Sequence, residues 1–182
     1  DKPLQSLQKT DYAKTRKVLQ RMYAQADIES ISFSGGEPML FTRIHDLIML
    51  ARFHKSNVSV LTNGTLVDDL DLYAFDNLGV ERIQIPILSA DSKIHDILTQ
   101  SQGSWEKSMR LLCNLIQKDT DKVGVVLVLT KQNLFDLDQT LWFYNHLGIK
   151  SVLVNRFNIG GTGRKYRNDL ELSHQELQAA FG

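Results

Sequence analysis

The sequence predicts an α/β fold, a parallel sheet whose strands are joined by helical crossovers. Three observations predict it. Five segments of strand character, Glu29–Ser34, Val58–Thr62, Arg82–Ile87, Val123–Thr130 and Ser151–Phe157, alternate with helix-spaced stretches. That is the order of β-α units rather than of hairpins. Val123–Thr130 is a nearly continuous run of Val and Leu, as expected of a parallel strand buried on both faces. Gly79 and Gly148 stand just past helical runs, where C-terminal caps belong. Crossovers of this kind are right-handed. The pattern is compatible with both an open doubly wound sheet and a barrel.

Taken in order, residues 1–8 read as a linker remnant. Around 10–26, Tyr12, Val18, Leu19, Met22, Tyr23 and Ala26 fall at roughly helical spacing. After the strand at 29–34, Arg43–His54 is helical, with Ile44, Leu47, Ile48, Leu50 and Ala51 on one side. Val58–Thr62 runs into Asn63-Gly64, a turn signal. Asp68–Leu78 carries acidic residues in its first turn, which suits the helix dipole. Asp91–Leu98 is a short helix or turn, and Ser104–Lys118 and Leu134–Leu147 are longer helices. A loop rich in Gly and Arg is expected over 159–169. Ser173-x-x-Glu176 is a capping box, and Leu172 with Leu177 supplies a hydrophobic staple for a last helix.

With 182 residues, 42% of them hydrophobic, the chain is about one domain long. Lys plus Arg and Asp plus Glu both total 21, so the net charge is zero. That balance forecasts neither a nucleic-acid partner nor attraction to an anionic membrane surface. No apolar run approaches a membrane span. Cys113 is the only cysteine, so neither an internal disulfide nor a cysteine cluster can form. Its amphipathic run, Met109–Ile116, marks it as a small buried hydrophobe, and no metal site is expected within the chain.

The candidate site is organised around Ile31-Ser32-Phe33-Ser34-Gly35-Gly36-Glu37-Pro38-Met39-Leu40. Gly35 and Gly36 let the backbone take strained dihedrals and approach a ligand. Pro38 biases Glu37 to an extended conformation, which suits a carboxylate gripping an amine or a cation. The plainer reading is a strand-to-helix turn with a solvated glutamate. In parallel α/β folds, ligands gather at the C-terminal strand ends. Ser34–Pro38, Thr62–Gly64, the segment after Ile87, Thr130–Asn133 and Asn155–Gly163 would all lie there.

Ser34-Gly35-Gly36-Glu37-Pro38 resembles the GGEP motif of radical S-adenosylmethionine (SAM) enzymes. Further landmarks match in order: Leu61-Thr62-Asn63-Gly64-Thr65-Leu66, His95-Asp96, Gly103-Ser104-Trp105, Val128–Asn133, and Arg156-Phe157 leading into Gly161-Thr162-Gly163. The set is most similar to the branch that modifies peptides and matures enzymes or cofactors, often with a C-terminal SPASM domain. The resemblance implies a partial (β/α)6 TIM-like barrel lacking its first strand. It implies a single domain over 1–182, a fragment that begins after the cluster loop of a longer protein. The family's Cys-x3-Cys-x2-Cys loop is absent, so this fragment alone is expected to be inactive. For the complete enzyme the resemblance implies that a [4Fe-4S] cluster would pass an electron to SAM, giving a 5′-deoxyadenosyl radical that would abstract hydrogen from a peptide or small-molecule substrate. The resemblance makes Gly35, Gly36, Glu37, Pro38, Asn63, Ser89, Leu129 and Thr130 cofactor-binding, with Glu37 on the methionine amine. Arg156 is assigned to substrate. A flavodoxin or ferredoxin electron donor and a cytoplasmic location go with it, without nucleic acid or membrane.

The fourth-strand end departs from the family. Pro86 stands where the pattern has serine, Leu88 where it has aspartate, and Thr99 where it has arginine. These changes keep a second reading open, a non-redox relative that binds SAM, a nucleotide or a protein partner. His95-Asp96 invites acid/base chemistry. Neighbouring helix positions do not face each other, however, which favours a local structural role. Gly160–Arg164 resembles a phosphate cradle, but no helix is expected directly after it. Arg164, Lys165 and Arg167 read as a solvated basic turn.

Overall fold

A computed structural model describes residues 11–181, and the expected linker at 1–8 lies outside them. Five strands, β1 (Ser30–Phe33), β2 (Asn57–Leu61), β3 (Val80–Pro86), β4 (Val123–Leu129) and β5 (Val152–Arg156), are all parallel. Their order in the sheet is β1-β2-β3-β4-β5. The helices are α1 (Tyr12–Gln25), α2 (Ile44–Phe53), α3 (Asp69–Asn77), α4 (Ser92–Thr99), α5 (Ser104–Lys118), α6 (Leu137–His146), α7 (Arg167–Leu170) and α8 (His174–Phe181).

Sequential order decides between the two architectures. Right-handed crossovers between strands that advance in one direction all fall on the same side of the sheet. A doubly wound sheet needs a reversal of strand order, and none is present. The sheet therefore curls into a half-barrel, with helices on its convex side. Val58, Val60, Ile83, Ile85, Val125, Leu127 and Leu129 face the helices and are at most 6% exposed. They pack on Ile48, Leu72, Phe75, Leu112, Leu115 and Tyr144. The register carries the other face across the strands: Leu61 beside Gln84, Pro86 beside Val126, Val126 beside Leu153, and Val128 beside Asn155. This concave face bears the candidate site.

The helix ends follow their sequence signals. Asp68 and Asp71 form a reciprocal capping box on α3. Asp91 caps α4 through the Lys93 N–H. Ser173 and Glu176 cap α8 reciprocally, and the Ser173 hydrogen bonds hold the Glu176 carboxyl below its ordinary pKa.

Four expectations change. Cys113 is exposed on α5 rather than buried, because Leu111, Leu112 and Leu115 take the inward positions. The expected loop over 159–169 is a 3-10 helix, Gly161–Tyr166, followed by α7. The expected helix over 134–147 begins as a separate 3-10 turn, Leu134–Asp136. β3 starts at Val80, two residues early, where it pairs with Val58 ahead of a register shift in β2.

Candidate functional site

Because the strands are parallel and sequential, all five C-terminal ends form one rim. The β1 tip is built as its sequence suggests. Glu37 is extended, with φ −143° and ψ 114°, and Pro38 opens a 3-10 turn. Gly35 has φ +147°, and a Cβ at Gly35 or Gly36 would meet no heavy atom within 4 Å. A hollow of about 220 Å³ lies against this turn, walled by Phe33, Phe41, Ile44 and Leu47.

The Glu37 carboxylate joins two strand ends. Its Oε1 accepts the Met39 N–H at 3.0 Å and the Thr62 hydroxyl at 2.7 Å. Its Oε2 accepts the Asn63 N–H at 2.8 Å. An ionised carboxylate offers about four lone-pair sites, so these bonds leave one on Oε2 for a cationic donor. Asn63 is held in turn. Its Oδ1 accepts the Thr65 N–H and hydroxyl at 2.9 and 2.8 Å, and its carbonyl accepts the Ser108 hydroxyl at 2.7 Å. Gly64 completes the turn at φ +75°, where a Cβ would come within 2.7 Å of Leu111 Cδ2. Any other residue there would strain the left-handed backbone and crowd the Leu111 side chain.

The β3 tip is fastened differently. Tyr144 donates its hydroxyl to the Ile87 carbonyl at 2.5 Å. Asn133 donates to the Leu88 carbonyl at 2.7 Å and to the Val128 carbonyl at 3.0 Å, while its Oδ1 accepts the Thr130 N–H and hydroxyl. The Leu88 N–H donates to His95 Nδ1 at 3.0 Å. Trp105 Nε1 donates to the Ser89 carbonyl, and the Ala90 N–H to Thr140 Oγ1. Buried Asp136 accepts the hydroxyls of Ser89 and Thr140. Burial, reinforced by Asp136, raises the Tyr144 phenol well above its ordinary value.

His95 and Asp96 divide their work. Burial pushes the His95 imidazole down to about 4, against the attraction of Asp96. It stays neutral, as an acceptor at Nδ1 must. Asp96 faces the other way and caps α5, accepting the N–H groups of Gly103 and Trp105 at 2.6 and 2.9 Å. Those bonds, from Trp105 first, hold its carboxyl below the usual range. Thr99, at the expected arginine position, donates its hydroxyl to the His95 carbonyl at 2.9 Å.

The candidate residues therefore separate. Gly35, Gly36, Glu37, Pro38 and Asn63 come together at the β1–β2 end of the rim. Ser89 is fully buried, with its hydroxyl committed to Asp136. Leu129 and Thr130 are buried at the end of β4. Arg156 pairs in register with Leu129, so it lies on the helix-facing side of the sheet, although exposed at the free end of β5. Asn155, which the motifs did not single out, shares the concave face with Val128. Asn133, Asp136, Thr140 and Tyr144 also escaped separate notice. The only local signal was Thr130-x-x-Asn133, whose spacing permits an Asn side chain to reach back to the backbone.

Among the described residues no group of three or more His, Cys, Asp or Glu is arranged to hold a metal ion. The residues present do not fit an iron-sulfur cluster, and lone Cys113 lies on α5, away from the rim. They do fit the charged end of a ligand bearing an ammonium group, through the remaining Oε2 lone pair and the open space beside Gly35 and Gly36. No described helix is long and apolar enough to cross a membrane.

A family profile described as the radical SAM superfamily matches residues 7–143. A PqqA peptide cyclase of Granulibacter bethesdensis is 23% identical over 157 residues, 86% of this chain and 42% of that protein. A probable GTP 3',8-cyclase of Methanocella arvoryzae is 34% identical over 159 residues, 87% of this chain and 51% of that protein. The chain thus spans about half the length of these relatives or less. Among solved structures, Streptococcus suis SuiB bound to S-adenosylmethionine superposes with a TM-score of 0.72 at 17% identity, covering 92% of this chain and 38% of SuiB. SuiB bound to its precursor peptide SuiA gives a TM-score of 0.69 at 18% identity, covering 81% of this chain and 33% of SuiB.

Proposed function

The chain belongs to the radical SAM superfamily, and from that premise we propose that it is the SAM-binding core of an enzyme whose cluster ligands lie elsewhere in a longer protein. In this family SAM, cleaved reductively beside a [4Fe-4S] cluster, supplies a 5′-deoxyadenosyl radical for hydrogen abstraction. The observation that carries the reading is the Glu37 carboxylate, pinned by three donors from the β1 and β2 tips with one acceptor site to spare. Glu37 binds the ammonium of the methionine moiety by a charge-assisted hydrogen bond. Gly35 and Gly36 admit the ligand, and Asn63 borders it. Leu129 and Thr130 shape the floor from behind the rim, and Ser89 acts only by holding its loop. The substrate is a peptide or a small molecule, in keeping with the peptide-bound and nucleotide-acting relatives. A flavodoxin or ferredoxin is the proposed electron donor, and the cytoplasm the proposed location.

The β3 tip favours a second reading. Its rim-facing positions are Pro86, Leu88 and Ala90, none with a polar side chain, so this end gives SAM apolar contact only. A non-redox relative that binds SAM without cleaving it is the alternative. The complete protein, reconstituted anaerobically and reduced, separates the two. Formation of 5′-deoxyadenosine that Glu37→Gln suppresses supports the first. Tight SAM binding without cleavage, and without an upstream cysteine triplet, supports the second.

A further inference from the structure

Among the described residues β5 is one edge of the sheet, paired only with β4. Two ladder bonds show which of its backbone groups are used. Val125 N–H donates to the Ser151 carbonyl, and Phe157 N–H to the Leu129 carbonyl, both at 2.9 Å. A parallel ladder uses alternate residues of a strand. The N–H and C=O groups of Val152, Val154 and Arg156 therefore point outward from the sheet. Val152, Leu153 and Val154 are 37%, 46% and 39% exposed. This stretch carries none of the lysine, proline or bulge with which proteins usually blunt an open edge.

A cleft of about 700 Å³ adjoins this edge, lined by Val128, Asn155, Phe157, Arg156, Glu171 and Leu172 among others. Val128 and Asn155 belong to the concave face, and Arg156 to the opposite one. The lining residues lie at the C-terminal ends of β4 and β5 or beyond them, so the cleft opens where the edge of the strand meets the rim. Its far wall is anchored, since the Lys131 N–H donates to the Leu170 carbonyl at 3.1 Å. The Asn155 amide offers both a donor and an acceptor, as a peptide bond requires. Arg156 and Glu171 place opposite charges at the cleft.

We propose that the outer edge of β5 and the cleft at its end bind an extended peptide by strand addition, delivering the residue that follows the paired segment to the rim. This rests on the reading above and sharpens its substrate from a peptide or small molecule to an extended peptide. Main-chain bonds to Val152, Val154 and Arg156 supply affinity, and the cleft supplies side-chain choice.

The test uses the full-length protein and a fluorescein-labelled peptide of alternating threonine and valine, with a second copy N-methylated at alternate residues. Val154→Pro removes an N–H that the protein's own ladder does not use, so the sheet tolerates it as edge strands do. The melting temperature of the variant and its SAM affinity, both expected to stay at wild-type values, report on the fold and on the SAM site. Val154→Pro and the N-methylated peptide are each expected to weaken binding about tenfold, as for one or two lost backbone hydrogen bonds. Val154→Thr is expected to bind normally. Equal binding by Val154→Pro, or by the N-methylated peptide, would overturn the proposal. So would failure of the peptide to bind while Val154→Pro abolishes self-association, which would make the edge a contact between copies. A protein that binds SAM but fails the peptide arm leaves the functional reading standing, whereas one that binds no SAM fails that reading first.

Discussion

The two ends of the rim are stabilised in opposite ways. At the β1–β2 end one half-buried carboxylate, Glu37, organises two turns and keeps an acceptor site open. At the β3–β4 end, side chains from α4, α5, α6 and the β4 tip bond five backbone polar groups between Ile87 and Ala90, and Ser89 takes the Asp91 N–H. The first end is poised to exchange hydrogen bonds with a ligand. The second has used its polar capacity internally and offers Leu88 and Ala90 to the rim. Buried polar groups are satisfied by partners that fix their position, and bonds from four separate elements hold this loop in place. The β3 tip is thus a fixed apolar wall, and the β1–β2 end holds the carboxylate with an acceptor position to spare.

The most direct way to break this contrast is Asn133→Ala. It strands the Leu88 and Val128 carbonyls and both donors of Thr130, in a site where Asn133 is 2% exposed. A loss of about 3–4 kcal/mol is expected, from several buried groups left without partners, measured by urea unfolding. A loss under about 1 kcal/mol would mean that the wall is not held as described.

His95 sharpens the contrast through pH. Its folded pKa, about 4, lies below the ordinary 6.5, so the unfolded chain binds the proton more readily. Stability is then fully present above pH 6.5 and is lost as pH falls towards 4, by about 3 kcal/mol in total for such a shift. Unfolding free energy measured across that window should fall more steeply in the wild type than in His95→Gln. Parallel curves would remove His95 from the clamp.

Glu37→Gln tests the other end. A glutamate that merely faced solvent would support little folding stability. Here its amide replacement sets a donor against the Asn63 N–H, so a stability loss of about 1–2 kcal/mol is expected. In the full-length protein, SAM affinity measured by titration calorimetry should fall further, by about 1.5–3 kcal/mol or roughly 10- to 150-fold. A large stability loss with unchanged SAM affinity would make the carboxylate purely a brace between strands.

The smallest effect is expected at Cys113, exposed on α5. Cys113→Ser should change stability by no more than about 0.5 kcal/mol, and iron and sulfide analysis after reconstitution should find no cluster on this chain with or without it. Stoichiometric iron on the wild-type chain, with an absorption shoulder near ~410 nm, would refute that.

Most of the architecture and the first end of the site were legible in the sequence, because their determinants are local. Strand and helix periods, the caps at Asp68 and Ser173, and the Gly-Gly-Glu-Pro turn each depend on residues within a few positions. Sequence position alone placed Glu37 at the end of a strand and extended. The direction of Ser89 and Arg156 was not legible, since a side chain at a strand tip turns to the rim or the core according to register. Nor was the exposure of Cys113, since several positions of an amphipathic stretch compete for the buried side of one helix.

The tertiary structure alone decided which partners close each bond. Thr62 and Asn63 reach Glu37 across 25 and 26 residues of chain, Asp136 reaches Ser89 across 47, and Tyr144 reaches Ile87 across 57. No spacing rule connects such pairs. They meet because parallel strands in sequential order bring every C-terminal end to one rim. The sequence by itself determined the elements, the family motif and the charged turn. The family motif already implied the half-barrel that strand order confirms, whereas the inward commitment of Ser89 and the edge position of β5 came from register and pairing, which long-range contacts set.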